Sequence, residues 1–487
     1  MFFNSLDFAI FFPIVFILYW IFSQNLKQRN AFILIVSYIF YGWWNWKFLS
    51  LIVISSFVDY FVGRRLGKEE NQKKRKGLLI LSLFVNLGFL IYFKYFNFFI
   101  ESFVDAFSLF GKELEISTLD IILPVGISFY TFQTLSYTVD IYKKKFEPTN
   151  DIIAFFAFVA FFPQLVAGPI ERATHLLPQF FEKYKFNYQQ VKSGLLLMLW
   201  GLFKKMVIAD RVALLVNETY NNVGSYYGME FVIGTIFFAF QIYCDFSGYS
   251  DIAIGASRTM GFDLMKNFDS PYFSKSITEF WRRWHISLST WFRDYVYIPL
   301  GGSRDGKYRT YLNLFLVFLI SGIWHGAAMT FVIWGAVHGV IIVLEKATGT
   351  FRKSIFQKIK LTKKNIVGRL FFMIVTFVIV CFAWIFFRAN SLADAFAIVG
   401  KIFTFDKGEK TIISEIGMDS PNFYAALIFI ALMIIFEIIH KRKSMVVTLA
   451  KQNILVRWSF YIIAALILVT FGIYGSYDES QFIYFQF

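Results

Sequence analysis

The sequence contains little cysteine and few charged residues, and both shortages narrow the class of protein. Cys244 and Cys381 are the only two cysteines in 487 residues, and both stand in apolar surroundings. They offer neither a disulfide framework nor metal-ligand spacing, so they are expected to be small buried side chains. Charged residues make up 17% of the chain, whereas soluble proteins contain about 25%. Because 57% of the residues are hydrophobic, a polytopic membrane protein is predicted.

Signatures of several other classes are also missing. The sequence contains no P-loop, no G-x-S-x-G elbow, no H-E-x-x-H motif and no low-complexity tract. A net charge of +15 does not indicate nucleic-acid binding, because the basic residues lie in short loops between apolar runs. The first run, Leu6–Phe22, lacks a basic region before it and a cleavage site after it, which predicts a retained span rather than a signal peptide.

The apolar runs predict an all-α fold. At about 17 to 25 apolar residues per crossing, we expect about eleven transmembrane helices in a single integral-membrane domain, residues 1–487. Some runs are too short to cross alone, so re-entrant and interfacial helices are expected as well. Residues 123–126 and 161–170 interrupt two runs with proline, glycine and polar side chains. Such backbone is tolerated in a membrane where it lines a cavity or is buried in protein.

The basic residues also predict an orientation. Lys27 and Arg29 follow the first run, and a second basic cluster occupies residues 64–76. Two intervening spans place both clusters on one side, which the positive-inside rule assigns to the cytoplasm. The next loop is acidic and is expected outside; its acidic residues are Glu101, Asp105, Glu113, Glu115 and Asp120. The N-terminus is therefore predicted to lie outside.

An ionisable residue inside an apolar run marks a candidate functional site. His325 lies in such a run, within a frame that begins at Gly322 and ends at Gly326, and a buried histidine of this kind faces a bundle interior or a cavity by default. A second frame runs from Gly335 to Gly339 around His338. Small residues four apart let helix backbones approach closely. His325 is either catalytic or structural; along one helix, His338 would face away from it.

The most polar stretch of the chain is central. Residues 241–251 end a predicted span with two carboxylates and several hydroxyl groups, among them Asp245 and Ser247. These side chains either bind a substrate or satisfy the polar groups of a broken helix. Farther along, Ser276 and Glu279 have the spacing of a capping box, which predicts a helix beginning at Ser276.

That predicted helix carries an apolar stripe. Residues at three- and four-residue spacing form it: Trp281, Trp284, His285, Leu288 and Phe292. An amphipathic helix of this kind lies in the membrane interface or packs on the bundle. His285 is either a packed histidine bonded to a backbone carbonyl or a site residue. Arg282 and Arg283 point away from the stripe and either anchor lipid headgroups or bind a phosphorylated acyl donor.

At these residues the chain closely resembles the membrane-bound O-acyltransferase (MBOAT) family. The resemblance rests on WRRWHISLSTWFRDYVYIPLGG at residues 281–302 and SGIWHG at residues 321–326. It is closer to the bacterial branch of alginate O-acetyltransferase membrane subunits, to which further stretches are similar: residues 2–5, 123–133, 168–170, 245–251 and 382–388. The match runs from the N-terminus to about residue 390.

The resemblance implies a bundle around a funnel, with a catalytic core at about residues 120–345. It implies that His325 is essential for acyl transfer and that His285 is the second catalytic residue. The expected substrate-binding residues are Trp281, Arg282, Arg283, Trp284, Asp245, Ser247 and Trp324. No metal or bound cofactor is expected. Acetyl-CoA is implied as a cytoplasmic donor substrate, and the implied location is the bacterial inner membrane. An extracytoplasmic SGNH-type partner and a polysaccharide acceptor such as alginate are implied too.

The implied chemistry is acyl transfer to a hydroxyl group. Apolar surroundings disfavour a charged imidazolium, so His325 would be neutral and able to act as a general base. His285 would orient the donor or stabilise the developing oxyanion. Arg282 or Arg283 would hold the donor's phosphates, which a guanidinium matches bidentately.

Two alternatives stay open from the sequence. Many spans and broken helices also describe a transporter for a polysaccharide or a lipid carrier, although transporters often show two-half repeats and none is visible here. D-alanyl transfer onto teichoic acid, from a carrier-protein thioester, is a second enzymatic alternative.

Overall fold

The structure is a computed structural model that describes residues 1–108, 118–119, 121–166, 168–358, 361, 365–404, 416–442, 448–449 and 451–474. Within these ranges every regular element is a helix and none is a β-strand, so the all-α prediction is confirmed. Part of the acidic loop, including Glu113, Glu115 and Asp120, lies outside the described residues.

The α-helices are numbered in chain order. They are α1 Leu6–Phe22, α2 Leu26–Asn45, α3 Leu49–Lys68, α4 Gln72–Leu90, α5 Phe96–Ser108, α6 Ile127–Tyr142, α7 Ile152–Ala160, α8 Phe162–Leu165, α9 Ala173–Leu176, α10 Tyr188–Leu202, α11 Asp210–Asn221, α12 Gly228–Thr259, α13 Ile277–Trp281, α14 Ile286–Phe292, α15 Gly306–His325, α16 Met329–Ala347, α17 Gly349–Lys358, α18 Ile366–Arg388, α19 Leu392–Phe403, α20 Ser420–Arg442 and α21 Ile454–Phe471. Within the described ranges, three π-helical turns occupy Ile91–Tyr95, Phe203–Ala209 and Arg293–Tyr297.

Seven helical stretches of the described chain are long and apolar enough to cross a membrane. They are Leu26–Lys68, Gln72–Val104, Gly228–Thr259, Met329–Ala347, Ile366–Arg388, Ser420–Lys441 and Ile454–Phe471. The polytopic membrane character is thereby confirmed. The number of about eleven crossings and the funnel stay predictions, since the first stretch contains two α-helices of 20 residues each and several other helices are shorter than a crossing.

Polar side chains determine where many of these helices begin. Ser5 Oγ accepts a hydrogen bond from Phe8 N at 3.2 Å, and Asp151 Oδ1 accepts one from Ala154 N at 3.0 Å. Such N-caps satisfy backbone N–H groups that have no partner within the helix. Side chains of Asn25, Asn71, Asn365 and Asn453 cap α2, α4, α18 and α21 in the same way. Inside an apolar medium, an uncapped helix end would be costly.

The chain forms two compact units. The first contains Met1–Met198 and Ile252–Met265, and the second contains Leu199–Asp251 and Lys266–Phe487. All nine site residues predicted from the sequence belong to the second unit. A single domain with a core at residues 120–345 stays a prediction.

The first unit buries polar groups on several helices. Asp59 on α3 is fully buried and accepts hydrogen bonds from Ser82 on α4, from Asn86 Nδ2 at 2.8 Å and from Thr138 Oγ1 at 2.9 Å. A carboxylate in such a position requires these donors, because no water replaces them in an apolar interior. The interrupted segment near residue 161 forms α7 and α8, of nine and four residues, and both are too short to cross a bilayer.

In the second unit, α15 and α16 approach each other through glycines. A Cβ atom added to Gly335 would lie 2.5 Å from Phe318 O and 3.0 Å from Gly322 Cα. This contact confirms the predicted close approach of two helix backbones at the small-residue frames. It also determines how the end of α15, which carries His325, lies against α16.

We expect Gly335→Ala to destabilise the protein, because the added methyl group has no space between the two helices. Overpacking of this kind costs about 1–3 kcal/mol. Gly400→Ala in α19 is the matched control, since a Cβ at that position meets no atom within 4 Å and alanine favours a helix. The melting temperature of each purified variant in detergent is the measurement. Equal melting temperatures for both variants would contradict the close contact.

Candidate active site

His285 lies in a sharp turn between α13 and α14. The predicted cap at Ser276 is confirmed, since Ser276 Oγ accepts a hydrogen bond from Glu279 N at 3.1 Å. The prediction of one continuous helix is wrong, because α13 ends at Trp281 and α14 begins at Ile286. His285 itself has φ 43° and ψ 56°, in the left-handed region. The backbone on either side of it bonds to residues 267–269 rather than continuing the helix.

The apolar stripe survives this break as a set of buried side chains. Trp281, Trp284, His285, Leu288 and Phe292 are all buried. Hydrophobic spacing therefore predicted which side chains face the interior, although it did not predict the turn that brings them there.

His325 is the last residue of α15. Its side chain is 4% exposed, and that of His285 is fully buried. The centroids of the two imidazole rings are 6.4 Å apart. The structure thus brings together the two histidines that the sequence predicted as catalytic, from positions 40 residues apart in the chain.

Aromatic rings enclose the histidine pair. The ring of His325 lies 4.9 Å from Trp324, 4.9 Å from Trp334 and 5.5 Å from Phe387, measured between centroids. Around His285, the ring of Phe246 lies at 4.6 Å and that of Trp324 at 6.3 Å. Trp324 therefore contacts both histidines.

Trp334, Trp384 and Phe387 are not among the predicted site residues. Trp384 lies 5.2 Å from Trp284 and 6.0 Å from Trp334 between ring centroids, so it completes the wall behind His325. The one sequence signal for it is that residues 382–388 belong to a stretch that resembles the family. Trp334 carries no such signal, because a tryptophan in an apolar helix looks like any other buried side chain.

His338 lies on α16, whereas His325 lies on α15. The two histidines therefore do not share one helix, the condition under which His338 was expected to face away, because residues 326–328 separate α15 from α16. Trp281 Nε1 donates a hydrogen bond to His338 Nδ1 at 3.3 Å. An indole nitrogen can only donate, so Nδ1 must accept, and the proton of neutral His338 sits on Nε2. This bond holds Trp281, which contacts Trp334 at 5.7 Å between ring centroids.

Asp245 and Ser247 lie on α12 and bond to two buried lysines. Lys205 Nζ is 2.6 Å from Asp245 Oδ1 and 2.8 Å from Asp210 Oδ1. Lys204 Nζ donates to Ser247 Oγ at 2.8 Å and to Asp251 Oδ2 at 2.6 Å. These contacts favour the alternative in which the polar residues satisfy one another, and a substrate-binding role for them stays a prediction.

The lysines were not predicted from the sequence. They stand in the π-helical turn Phe203–Ala209, a kind of irregularity that often accompanies functional sites. Within a hydrophobic run, two adjacent lysines look like the end of a span. Their burial becomes visible only when α12 supplies the carboxylates.

Arg282 and Arg283 lie on the polar side of the His285 turn. Arg282 is exposed, and Arg283 Nη2 forms an ion pair with Glu279 Oε1 at 2.7 Å. The exposure of Arg282 and the ion pair of Arg283 are both compatible with lipid headgroups and with donor phosphates. Among the described residues, no group of three or more His, Cys, Asp or Glu side chains is arranged to hold a metal ion.

The comparison with known proteins identifies the class. The membrane-bound O-acyltransferase (MBOAT) family matches residues 38–387, which is more than half of the chain. The chain belongs to this family and is an O-acyltransferase, in agreement with the resemblance seen in the sequence.

Relatives whose names state an activity align with most of the chain. The "Probable alginate O-acetylase AlgI" of Pseudomonas syringae pv. tomato is 42% identical over 81% of this chain and 73% of its own length. A protein of the same name from Pseudomonas putida is 37% identical over 98% of each chain. The "Peptidoglycan O-acetyltransferase" of Helicobacter pylori is 36% identical over 80% of this chain and 77% of its own length.

A more distant relative bears on one alternative. The "Teichoic acid D-alanyltransferase" of Bacillus subtilis is 27% identical over 55% of this chain and 69% of its own length. Both its identity and its coverage are lower than those of the acetylases.

We expect Lys205→Met to destabilise the second unit strongly, because it leaves two buried carboxylates without their cation. Removing one partner of a buried ion pair costs about 3–5 kcal/mol. Adding Asp210→Asn and Asp245→Asn should restore much of the loss. Lys266→Met is the control, since its partner Asp269 is on the surface and exposed pairs contribute about 0–1 kcal/mol. Thermal unfolding in detergent is the measurement, and a Lys205→Met protein as stable as the control would contradict the assignment.

Proposed function

We propose that this protein transfers an acetyl group from acetyl-CoA, bound from the cytoplasm, towards hydroxyl groups of an extracytoplasmic polysaccharide. The observation that carries the proposal is the buried pair of His285 and His325, with ring centroids 6.4 Å apart, inside an O-acyltransferase. Relatives at 36–42% identity bear the names of alginate O-acetylases and a peptidoglycan O-acetyltransferase, which supports acetyl as the group transferred.

His325 acts as the general base in this proposal. Its neutral imidazole takes the proton of the attacking hydroxyl as the new C–O bond forms at the acyl carbon. The C–S bond of the thioester then breaks, and the proton passes to the departing thiolate. Positioned acid–base catalysis of this kind contributes about 10²–10⁴-fold to the rate. The enclosing tryptophans support this role, because they exclude water that would hydrolyse the thioester.

His285 orients the donor or stabilises the oxyanion that develops on the acyl group. An acyl group between the two rings would be within reach of both imidazoles. A hydrogen-bond donor that is fixed in place before the reaction stabilises the developing charge more effectively than water does. Full burial and the surrounding rings hold His285 in that way.

Arg282 and Arg283 are the proposed contacts for the phosphates of the donor. They precede His285 by three and two residues, and Arg282 is exposed, so a phosphorylated substrate can reach it. Trp281, Trp284 and Trp324 would line the path of the acyl group. Asp245 and Ser247, on either side of Phe246 in α12, would bind the substrate.

The wider setting is part of the same proposal. The positive-inside rule supports an N-terminus outside the membrane, and the bacterial sources of the relatives support a location in the inner membrane. An SGNH-type protein outside the membrane would receive the acetyl group and esterify the polymer. D-alanyl transfer is the second candidate, supported by the 27% identity to a teichoic acid D-alanyltransferase. Transport as the main activity has lost its support, because the chain belongs to an acyltransferase family.

We expect His325→Ala to abolish O-acetylation while the polysaccharide is still made. The measurement is ester-linked acetate per mass of purified surface polysaccharide, from cells with matched amounts of the protein in the membrane. His440→Ala is the control, because His440 is exposed at the end of α20. If polymer disappears together with acetate, export is the better function. If D-alanyl ester is lost from teichoic acid instead, the second candidate replaces the first.

We expect His285→Ala to lower the rate of transfer about 10²- to 10³-fold, the usual loss when a donor to a developing oxyanion is removed. The KM for acetyl-CoA should change little, because the lost interaction forms mainly in the transition state. The measurement is the initial rate of CoA thiol release by membrane vesicles. A higher KM at unchanged kcat would assign His285 to ground-state binding instead.

A further inference from the structure

His285 adopts a backbone conformation that a histidine rarely adopts. Among the described residues other than glycine, positive φ angles occur at Lys144, Ser270 and His285, and of these three His285 alone is in the candidate site. Left-handed backbone in a residue with a side chain is unfavourable and persists only where the surroundings impose it. Something in the second unit must therefore hold this turn.

The segment Asn267 to Asp269 holds it from both sides. Ile286 N donates a hydrogen bond to Asn267 O at 2.9 Å, and Asp269 N donates one to Arg283 O at 2.9 Å. These two bonds bracket Trp284 and His285. Arg283 O and Ile286 N, which would form helical hydrogen bonds in a continuous helix, are bonded to this segment instead. For this reason α13 does not continue into α14.

The side chain of Asn267 adds a second set of bonds. Its Oδ1 accepts hydrogen bonds from Ser287 Oγ at 2.9 Å and from Ser287 N at 3.4 Å. Its Nδ2 donates to Ser250 Oγ on α12 at 3.1 Å. The side chain is 1% exposed, so the amide forms these bonds away from solvent. Hydrogen bonds are electrostatically stronger there than in water. Asn267 therefore connects α12 to the first turn of α14, directly after His285.

Phe268, between the two ends of this segment, contacts the imidazole. Its ring is 6.4 Å from that of His285 and nearly parallel to it, at 14°. Phe246 contacts the same imidazole edge-on, at 4.6 Å between centroids and 85°. The segment thus constrains both the backbone of His285 and the plane of its ring.

We propose that Asn267 is a positioning residue for acyl transfer: by holding the left-handed turn, its side-chain amide directs the imidazole of His285 towards His325. Asn267 does not touch the reacting groups in this assignment and acts through His285. The inference rests on the proposed function, because it assumes that His285 acts on the acyl group.

A purely structural role for Asn267 predicts different kinetics. If the amide only stabilised the fold, its loss would lower the amount of folded protein and leave the turnover of each remaining molecule unchanged. If it directs His285, its loss lowers kcat in molecules that are still folded, with little change in KM. The oxygen Oδ1 carries this effect, so an oxygen at the same place should preserve turnover.

Three variants of nearly equal shape separate these roles. Asn267→Leu removes the acceptor without opening a cavity, and the backbone bonds of residue 267 remain. Asn267→Asp keeps an acceptor oxygen for Ser287, and the hydroxyl group of Ser250 can rotate to donate to it. Asn313→Leu is the matched control, because Asn313 is also fully buried and its Nδ2 donates to Leu300 O at 3.1 Å and to Gly302 O at 3.0 Å.

The assay is acetyl-CoA-dependent CoA thiol release by inside-out membrane vesicles from the native strain, which supply the partner proteins. Rates are divided by the amount of folded protein and corrected for His325→Ala vesicles. We expect Asn267→Leu to lower kcat at least about tenfold, with the KM for acetyl-CoA within about twofold of the wild type. Asn267→Asp should keep a third or more of the wild-type kcat, and Asn313→Leu should change kcat less than Asn267→Leu does.

Any other pattern overturns the inference. A wild-type kcat in Asn267→Leu, equal losses in the Leu and Asp variants, or an equal loss in Asn313→Leu would each leave Asn267 with a structural role only. Failure of the proposed function is distinguishable, because the wild-type vesicles themselves would then release no more CoA than His325→Ala vesicles do.

Discussion

The close contact between α15 and α16 determines the geometry of the candidate site. Where Gly322 and Gly335 meet, the two helix backbones lie nearer to each other than any side chain would allow. The end of α15 is thereby pressed against α16, so that His325 meets the ring of Trp334. The aromatic side chains of Trp324, Trp384 and Phe387 then pack around an imidazole whose position is fixed. In a membrane, where burying apolar surface gives little driving force, such backbone contacts are a main source of helix association.

In the second unit, the buried histidines and the buried lysines have opposite surroundings. The histidines His285 and His325 are enclosed by aromatic rings. The lysines of the π-helical turn are buried too, and each Nζ lies within 3 Å of a carboxylate oxygen. Phe246 stands between Asp245 and Ser247 in the chain and contacts His285 with its ring. One stretch of α12 therefore borders both environments, the ionic one through its polar residues and the apolar one through its phenylalanine.

The sequence predicted those features that depend on local spacing or on side-chain type. An ionisable histidine in an apolar run is energetically costly and therefore marks a candidate functional site. This argument selected His325. The cap at Ser276 and the burial of Trp284 followed from spacing along the chain. The break at His285 could not be predicted, because the groups that impose it belong to Asn267 and Asp269, and their pairing with Arg283 and Ile286 appears only in three dimensions.

The same limit applied to the lysines and to the aromatic wall. Lys204 and Lys205 are separated from Asp245 by some 40 residues, and periodicity carries no information on contacts over such distances. Trp334 looks like any buried aromatic residue of a helix until the ring of His325 is placed beside it. Long-range partners thus account for most of what the sequence left open in the site.

The ionic contacts of α12 have a consequence for the biogenesis of the protein. During synthesis Lys204 and Lys205 leave the ribosome well before Asp245 and Asp251, and Asp210 is the one carboxylate of the cluster that accompanies them. A buried ammonium group without a carboxylate partner is costly. Lys204 therefore reaches its buried place only after α12 has supplied Asp251, and Lys205 completes its contacts only when Asp245 joins Asp210.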